Sequence, residues 1–275
     1  MKKTLVAVAA LVATGAFAQV SITGLLESTY NLNGAKKGMQ PGLNGNSEFR
    51  LGGSEDLGNG MKANFLHSFV QNHNVGGTPA SYQSFVGLSG DFGTVRLGQV
   101  WAPITLVGFT HDAMGGAAVS GNLVADVVQN SNSITYDSPS FAGVSLSVQG
   151  SNQTAATEST GYSLSYAAGG FSAGYGSHTL GTAKARTLMG ASYDFGMAKV
   201  FVSSLTQSGA TDATGYGVSV PMGAATLIAS ASSKGTADNY TLVAKYNLSK
   251  RTLAYFQNAS ASKAITNSIG IQHAF

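Results

Sequence analysis

Two copies of Asp-Phe-Gly, at Asp91-Phe92-Gly93 and Asp194-Phe195-Gly196, carry the spacing most suggestive of chemistry, because that tripeptide holds magnesium in protein phosphotransferases. Phosphoryl transfer also needs an activating lysine on a neighbouring strand, a glycine-rich nucleotide loop, and a catalytic Asp and Asn. None of these accompanies either copy, and a second copy would have no purpose. An aromatic residue bracketed by Asp and Gly fits a tight hairpin turn with its ring near an interface. His111-Asp112 is the only adjacent His-Asp pair. A metal hydrolase would converge further His and Asp ligands on it, yet His67, His73, His178 and His273 are scattered. We therefore expect no metal, no cofactor and no catalytic residue. Asp112, with Asp126, is read as negative charge placed in a constriction.

The first residues behave as a leader rather than as part of the fold. Lys2 and Lys3 precede an apolar run from Leu5 to Leu11, and Ala16-Phe17-Ala18 is a small-residue cleavage site. Residues 1–18 are thus expected to be removed, leaving 19–275. Two of the 15 basic residues go with them and none of the 12 acidic ones, so the net charge falls from +3 to +1. Only isolated basic pairs remain, Lys36-Lys37 and Lys250-Arg251, and a nucleic-acid surface needs a concentrated patch. With no cysteine, neither a disulfide nor a thiolate metal site is available. Charged residues make up 10%, against about 25% in soluble domains. Ser, Thr, Asn and 36 glycines take their place, which suits a surface facing lipid or enclosed water.

Period-2 alternation positions everything else. Between residues 20 and 30 one face is Val20, Ile22, Gly24, Leu26 and Tyr30, and the other is Ser21, Thr23, Leu25, Glu27 and Thr29. Similar stripes run through 61–70, 144–149, 162–167, 216–222 and 240–248. Tight and looser turns alternate between them, and the intervals resolve into sixteen strands, from 20–30 to 264–275. Their lengths approach the roughly 9–11 residues of a tilted transmembrane strand. An even meander returns its last strand to its first, and lipid tolerates no open edge. The expected fold is all-β, a closed antiparallel transmembrane barrel of sixteen strands. Its apolar faces, ending in Tyr30, Phe65, Phe69, Tyr162, Tyr193, Tyr246, Tyr255 and Phe275, should meet lipid with aromatic girdles. A β-sandwich would turn the same faces into a core.

One segment breaks the rhythm. Residues 102–129, APITLVGFTHDAMGGAAVSGNLVADVVQ, separate the fifth and sixth strands. Connections beyond about 12–15 residues are usually functional, and this one is too apolar to wave in solvent, so its expected place is the barrel interior. By alternation Glu27, Glu48, Arg50, Lys62, Arg96, Asp137, Lys184, Arg186, Lys199 and Lys245 point into the lumen. Arg50, Lys62 and Arg96 come from neighbouring strands and could form a basic wall opposite an acidic loop. His67 stands on an otherwise lipid-facing stripe, which fits either a contact of the early strands with another subunit or a position at the rim.

Specific stretches carry a resemblance. FRLGGSEDLGNGMKANF at 49–65, SFVGLSGDFGTVRLGQ at 84–99, NSITYDSPSFAGVSL at 132–146, YNLSKRTLAYF at 246–256 and the terminal IGIQHAF resemble the general porins of Gram-negative β-proteobacteria. The likeness covers nearly the whole chain after residue 18. It implies a homotrimer of sixteen-stranded outer-membrane barrels, each narrowed by an inward-folded third loop. It also implies contact with lipid and lipopolysaccharide, and a C-terminal Phe275 read by the barrel-assembly machinery. Several external loops here are shorter than is usual for the family. Glu48, Gln99, Gln272 and Ala274 stand where the family commonly has basic residues, while Arg50 and Arg96 stand where small or hydroxyl residues are more common. Family selectivity is therefore not carried over.

Together these features lead us to expect a passive, weakly anion-preferring channel for small ions and hydrophilic solutes. Outer-membrane proteases and phospholipases are also barrels, but no Ser-His-Asp set can be assembled from spacing. A structural or adhesive surface protein is the competing class, and short external loops are a poor platform for it.

Overall fold

The computed structural model describes residues 19–34, 36–43, 47–72, 77–116, 128–152, 158–261 and 263–275. The leader reading at 1–18, and the readings of His73 and Asp126, lie outside the described residues. Seventeen strands follow one another: β1 (Gln19–Asn31), β2 (Gly38–Gln40), β3 (Ser47–Gly58), β4 (Met61–Gln71), β5 (Ala80–Gly90), β6 (Gly93–Trp101), β7 (Gln129–Asp137), β8 (Val144–Ser151) and β9 (Ser159–Ala168), then β10 (Phe171–Leu180), β11 (Arg186–Asp194), β12 (Lys199–Gln207), β13 (Ala213–Met222), β14 (Ala225–Lys234), β15 (Ala237–Asn247), β16 (Thr252–Ala261) and β17 (Ala264–Ala274). Among the described residues a single helix, α1 (Pro103–Thr110), interrupts them.

Every strand from β3 onward pairs antiparallel with its successor, and β1 closes the ring. One half of β1 pairs Gln19–Leu25 with Ser54–Glu48 of β3. The other half pairs Leu25–Asn31 with Ala274–Ser268 of β17. The short β2 continues the edge that β3 leaves, opposite Thr29–Asn31. β2 and β3 are therefore one stave broken in the middle, and the barrel has the sixteen staves that alternation predicts. At the seam Gly24 and Phe275 exchange two backbone hydrogen bonds of 3.0 and 3.1 Å. The Phe275 ring covers the Cα of Gly24, where any side chain would collide with it, and stands 5.4 Å from the Phe49 ring.

Both Asp-Phe-Gly stretches form turns. Asp91 and Phe92 are the two linking residues between paired Gly90 and Gly93, and Gly93 takes φ +102°, a left-handed conformation open to glycine. In the second copy the Asp194 carboxylate accepts the Gly196 N–H at 2.7 Å, which closes the turn locally. Phe92 and Phe195 stand exposed at this rim beside Phe141, Tyr166, Phe171, Tyr193 and Tyr246. That is an aromatic girdle at the end bearing the tight turns. The outer wall between the rims carries Ile22, Val86, Leu97, Ile134, Leu164, Met189, Leu227, Leu242 and Ile269, all exposed. Inner positions such as Ser147, Gln149, Ser163, Ser192 and Thr241 are buried and polar.

Two features differ from the alternation. A helix occupies 103–110 where the sequence shows no helical stripe; eight residues that are nearly all apolar give no amphipathic period to detect. Tyr255, which alternation assigns to the lipid face, points inward instead. It is 4% exposed and its hydroxyl bonds Thr29 Oγ1. The neighbouring Phe256 takes the lipid position, so an apolar doublet made the register ambiguous.

Candidate functional site

The lumen is shaped by the connection between β6 and β7. Backbone hydrogen bonding from Ala102 N–H to Val128 O (2.9 Å) closes its neck. Thr105 reinforces the neck by accepting the Val128 N–H at 2.9 Å and donating to Val128 O at 3.3 Å. Pro103 starts α1, where its fixed φ suits the first turn and its missing N–H costs nothing. The helix then lies on the inner faces of β9, β10 and β11.

Glycines make that seat possible. A Cβ at Gly176 would lie 2.7 Å from the Cα of Ile104, and one at Gly174 would lie 2.9 Å from His111 Cε1. One at Gly190 would lie 2.4 Å from the Cβ of His111, and one at Gly217 2.5 Å from that of Ala113. Four strand glycines thus form a bare strip of wall, and the helix backbone comes closer than any side chain would allow. Around it Ala102, Ile104, Val107, Leu188 and Ala213 form an apolar cluster inside the barrel. Burying an aliphatic side chain of this kind contributes about 1.5–3 kcal/mol, so a few such contacts hold the loop without covalent help.

His111 ends the helix and pins it. Its Nδ1 donates to Val107 O at 2.9 Å, since a carbonyl can only accept. Its Nε2 then accepts from Ser172 Oγ at 3.1 Å. Burial holds the imidazole pKa below its ordinary value, with the Lys199 charge acting in the same direction. A histidine with a lowered pKa costs nothing above about pH 6.5, its unfolded value. The penalty grows as pH falls below that value and levels off once the lowered folded value is passed. Loop fluctuations in single-channel records should therefore increase between pH 7.5 and pH 5. His111→Gln, which has no such titration, should flatten that dependence; a wild-type pH response in the variant would refute the pin.

Beyond His111 the chain turns on Asp112, whose carboxylate accepts the N–H groups of Gly116 (2.7 Å) and Met114 (3.3 Å). Met114 then joins Leu43, Ile228, Val243 and Tyr255 in a second apolar cluster. Leu43 comes from the break between β2 and β3, so a second segment also enters the lumen. Gly42, at φ +113°, brings that segment against the Glu27 side chain, and Glu27 Oε1 accepts the Leu43 N–H at 2.8 Å.

The inward charges fall into distinct surroundings. Glu27 is 1% exposed and serves as the anchor for Leu43, with Lys245 within electrostatic reach. Arg50 makes a two-pronged pair with Glu48 at 2.7 and 2.8 Å and keeps half its side chain exposed. Arg96 pairs with Asp137, its guanidinium 5.5 Å from the Phe85 ring centroid. Lys62 is exposed, directly opposite Asp56 and in the row of Ser89, Thr94 and Asp137. Lys199 stands 5.1 Å over Phe201. Lys184 and Arg186 sit at the opposite rim, bonded to Ser208 Oγ (3.2 Å) and Gln207 Oε1 (3.3 Å). Asp112 is consumed by its turn. Arg50, Lys62 and Arg96 do share one side of the barrel, on β3, β4 and β6, but Glu48 and Asp137 sit among them.

Sequence reasoning missed the glycine strip, the Leu43 segment and the aromatic chain Tyr82–Trp101–Phe109, whose centroids are 5.0 and 5.3 Å apart. A signal existed for the first two. Apolar doublets at Leu188-Met189, Leu227-Ile228, Leu242-Val243 and Tyr255-Phe256 put a hydrophobic residue on a face that otherwise reads polar. Each inward member lies where the loop or the Leu43 segment rests.

Comparison with known proteins agrees with this architecture. The family model described as "Gram-negative porin" matches residues 4–263. Outer membrane porin protein 32 of Delftia acidovorans is 30% identical over 99% of this chain and 93% of its own length. Major outer membrane protein P.IB of Neisseria gonorrhoeae is 34% identical over 64% of this chain, a match spanning only 56% of that relative. Among solved structures, an anion-selective porin from Comamonas acidovorans superposes with a TM-score of 0.76 at 25% identity, covering 94% of this chain and 100% of that one.

Proposed function

We propose that this chain, which belongs to the Gram-negative porin family, is a passive outer-membrane channel for small hydrophilic solutes and ions with a weak preference for anions. The observation that carries the reading is a closed barrel with a polar inner face and an apolar loop seated across its lumen. Barrels of this size leave an aqueous passage, and the loop would set its size limit. No cofactor or energy source enters such a process. The rim with the tight turns would face the periplasm. Residues 1–18 would direct export, Phe275 would be read during assembly, and three copies would pack through the early strands. On that outer face His67 Nδ1 lies 2.9 Å from Ser84 Oγ, a polar pair better placed against a subunit than against lipid.

Charge supports the weak anion preference. The inward cations Arg50, Lys62, Arg96, Lys184, Arg186, Lys199, Lys234 and Lys245 face the carboxylates of Glu27, Glu48, Asp112 and Asp137, with Asp56 opposite Lys62 and Asp194 opposite Lys199 in the strand register. Glu48 and Asp137 offset two of the cations directly, which keeps the net field small. Two unit charges about 4 Å apart interact by roughly 4 kcal/mol at an effective dielectric near 20, and salt screens this within about 8 Å at physiological ionic strength. A zero-current potential measured in a KCl gradient should therefore carry the sign of anion preference and shrink at high salt. Lys62→Glu should shift it toward cations. A strong cation preference in the unaltered protein would overturn the charge assignment.

A further inference from the structure

We propose that the outer wall across β15, β16, β17 and β1 carries a binding site for one anionic phospholipid, whose acyl chain lies in an apolar groove while its phosphate is held at the tight-turn rim. The site concerns the outside of the barrel and holds whichever solutes pass through the lumen. Its apolar part is a groove of about 590 Å³, within the ~300–1,000 Å³ range of small-molecule sites. Small side chains at Ala244, Ala254 and Ser28 lower its floor, and Tyr246, Phe256 and Tyr30 stand exposed beside them. Ala254 and Ser28 lie on either side of Ile271 in one register row, and Phe256 and Tyr30 on either side of Ile269 in the next.

An apolar groove does not by itself select a lipid, because the surrounding tails are just as apolar. Selection comes from the basic rim at its end. Lys250 and Arg251 are exposed on the turn joining β15 to β16, and the exposed His273 is the register partner of Thr252, where β16 begins. Other turns at this rim carry Asp56, Asp91 and Asp194, so the cationic spot coincides with the groove. Ser249 Oγ accepts the N–H groups of Arg251 (3.1 Å) and Thr252 (3.0 Å), and Ala274 N–H donates to Arg251 O at 2.8 Å, which fixes the turn against β17. His273 Nδ1 is bonded to Thr252 Oγ1 at 2.9 Å, holding the ring beside that turn. Thr252 is two residues from Ala254, so the basic groups begin about 7 Å from the groove along the strand. A guanidinium grips phosphate oxygens in a planar fork and an ammonium approaches them as a point charge. The headgroup and one chain of a single phospholipid engage both parts of the site at once.

The test is native mass spectrometry of the intact protein released from micelles containing equal amounts of phosphatidylglycerol and phosphatidylethanolamine with matched chains. The expected result is one phosphatidylglycerol retained per chain, in clear preference to phosphatidylethanolamine. K250A/R251A should reduce that preference about tenfold, the scale of removing two basic residues from an anionic headgroup. A254W, which fills the groove, should lower retention of both lipids with the turn unaltered. Lys263→Ala, at the opposite end of β16 and β17, should change neither, and heat-modifiable gel migration reports that each variant remains a closed barrel. Equal retention of the two lipids by the unaltered protein, or an undiminished preference in K250A/R251A, would overturn the site. Loss of subunit association in A254W with lipid retention intact would assign the groove to a second copy and overturn it as well. KCl conductance of the unaltered protein is measured separately, and its absence would refute the channel while leaving the lipid result standing.

Discussion

Excising residues 105–125 should raise single-channel conductance about twofold or more, because a helix with side chains is about 10–12 Å across and a sixteen-stranded barrel is wide enough to conduct without it. The deletion is geometrically mild. Ala102 and Val128 already meet at 2.9 Å across the neck, so the strand ends need not move. The wall keeps its hydrogen bonds through β5, β6, β7 and β8. Val107 leaves behind a surface of Leu188 and Ala213 that water will enter. Heat-modifiable gel migration should remain that of a closed barrel. An unchanged conductance would mean that the loop does not occupy the passage.

Gly190→Val should reproduce much of that effect with one side chain. The new Cβ would lie 2.4 Å from the Cβ of His111, well inside van der Waals contact. β11 cannot retreat, because it is bonded to β10 on one side and β12 on the other, so the loop must yield. Overpacking of this kind costs about 1–3 kcal/mol, comparable to the burial of a single aliphatic residue in the seat. We expect higher mean conductance and larger current fluctuations, with the barrel intact. Gly150→Val is the control: nothing lies within 4 Å of the position its Cβ would take, and its conductance should match that of the unaltered protein. Gly190→Val behaving like that control would sink the idea that the glycines seat the loop.

These two experiments mark the boundary of what could be read in advance. Alternation is a local property, since successive side chains in a strand must face opposite ways. The strand staves, the tight-turn rim with Phe92 and Phe195, and the inward direction of Arg50 and Arg96 were therefore legible residue by residue. The identity of the Asp-Phe-Gly stretches as turns was legible for the same reason, because a turn is closed by its own residues. Where two apolar residues adjoin, as at Tyr255-Phe256, alternation no longer says which one faces lipid. The answer depends on Thr29, which is 226 residues away in the chain.

By itself, then, the sequence determined an all-β barrel with one long connection too apolar to remain outside. Only the tertiary structure decided how that connection is held: Gly174, Gly176, Gly190 and Gly217, on three different strands, line up beneath Ile104, His111 and Ala113. It likewise decided that Arg50 and Arg96 are partly neutralised by Glu48 and Asp137. The physical reason is that cross-strand neighbours are set by register and by closure of the ring, and neither is encoded within any single strand.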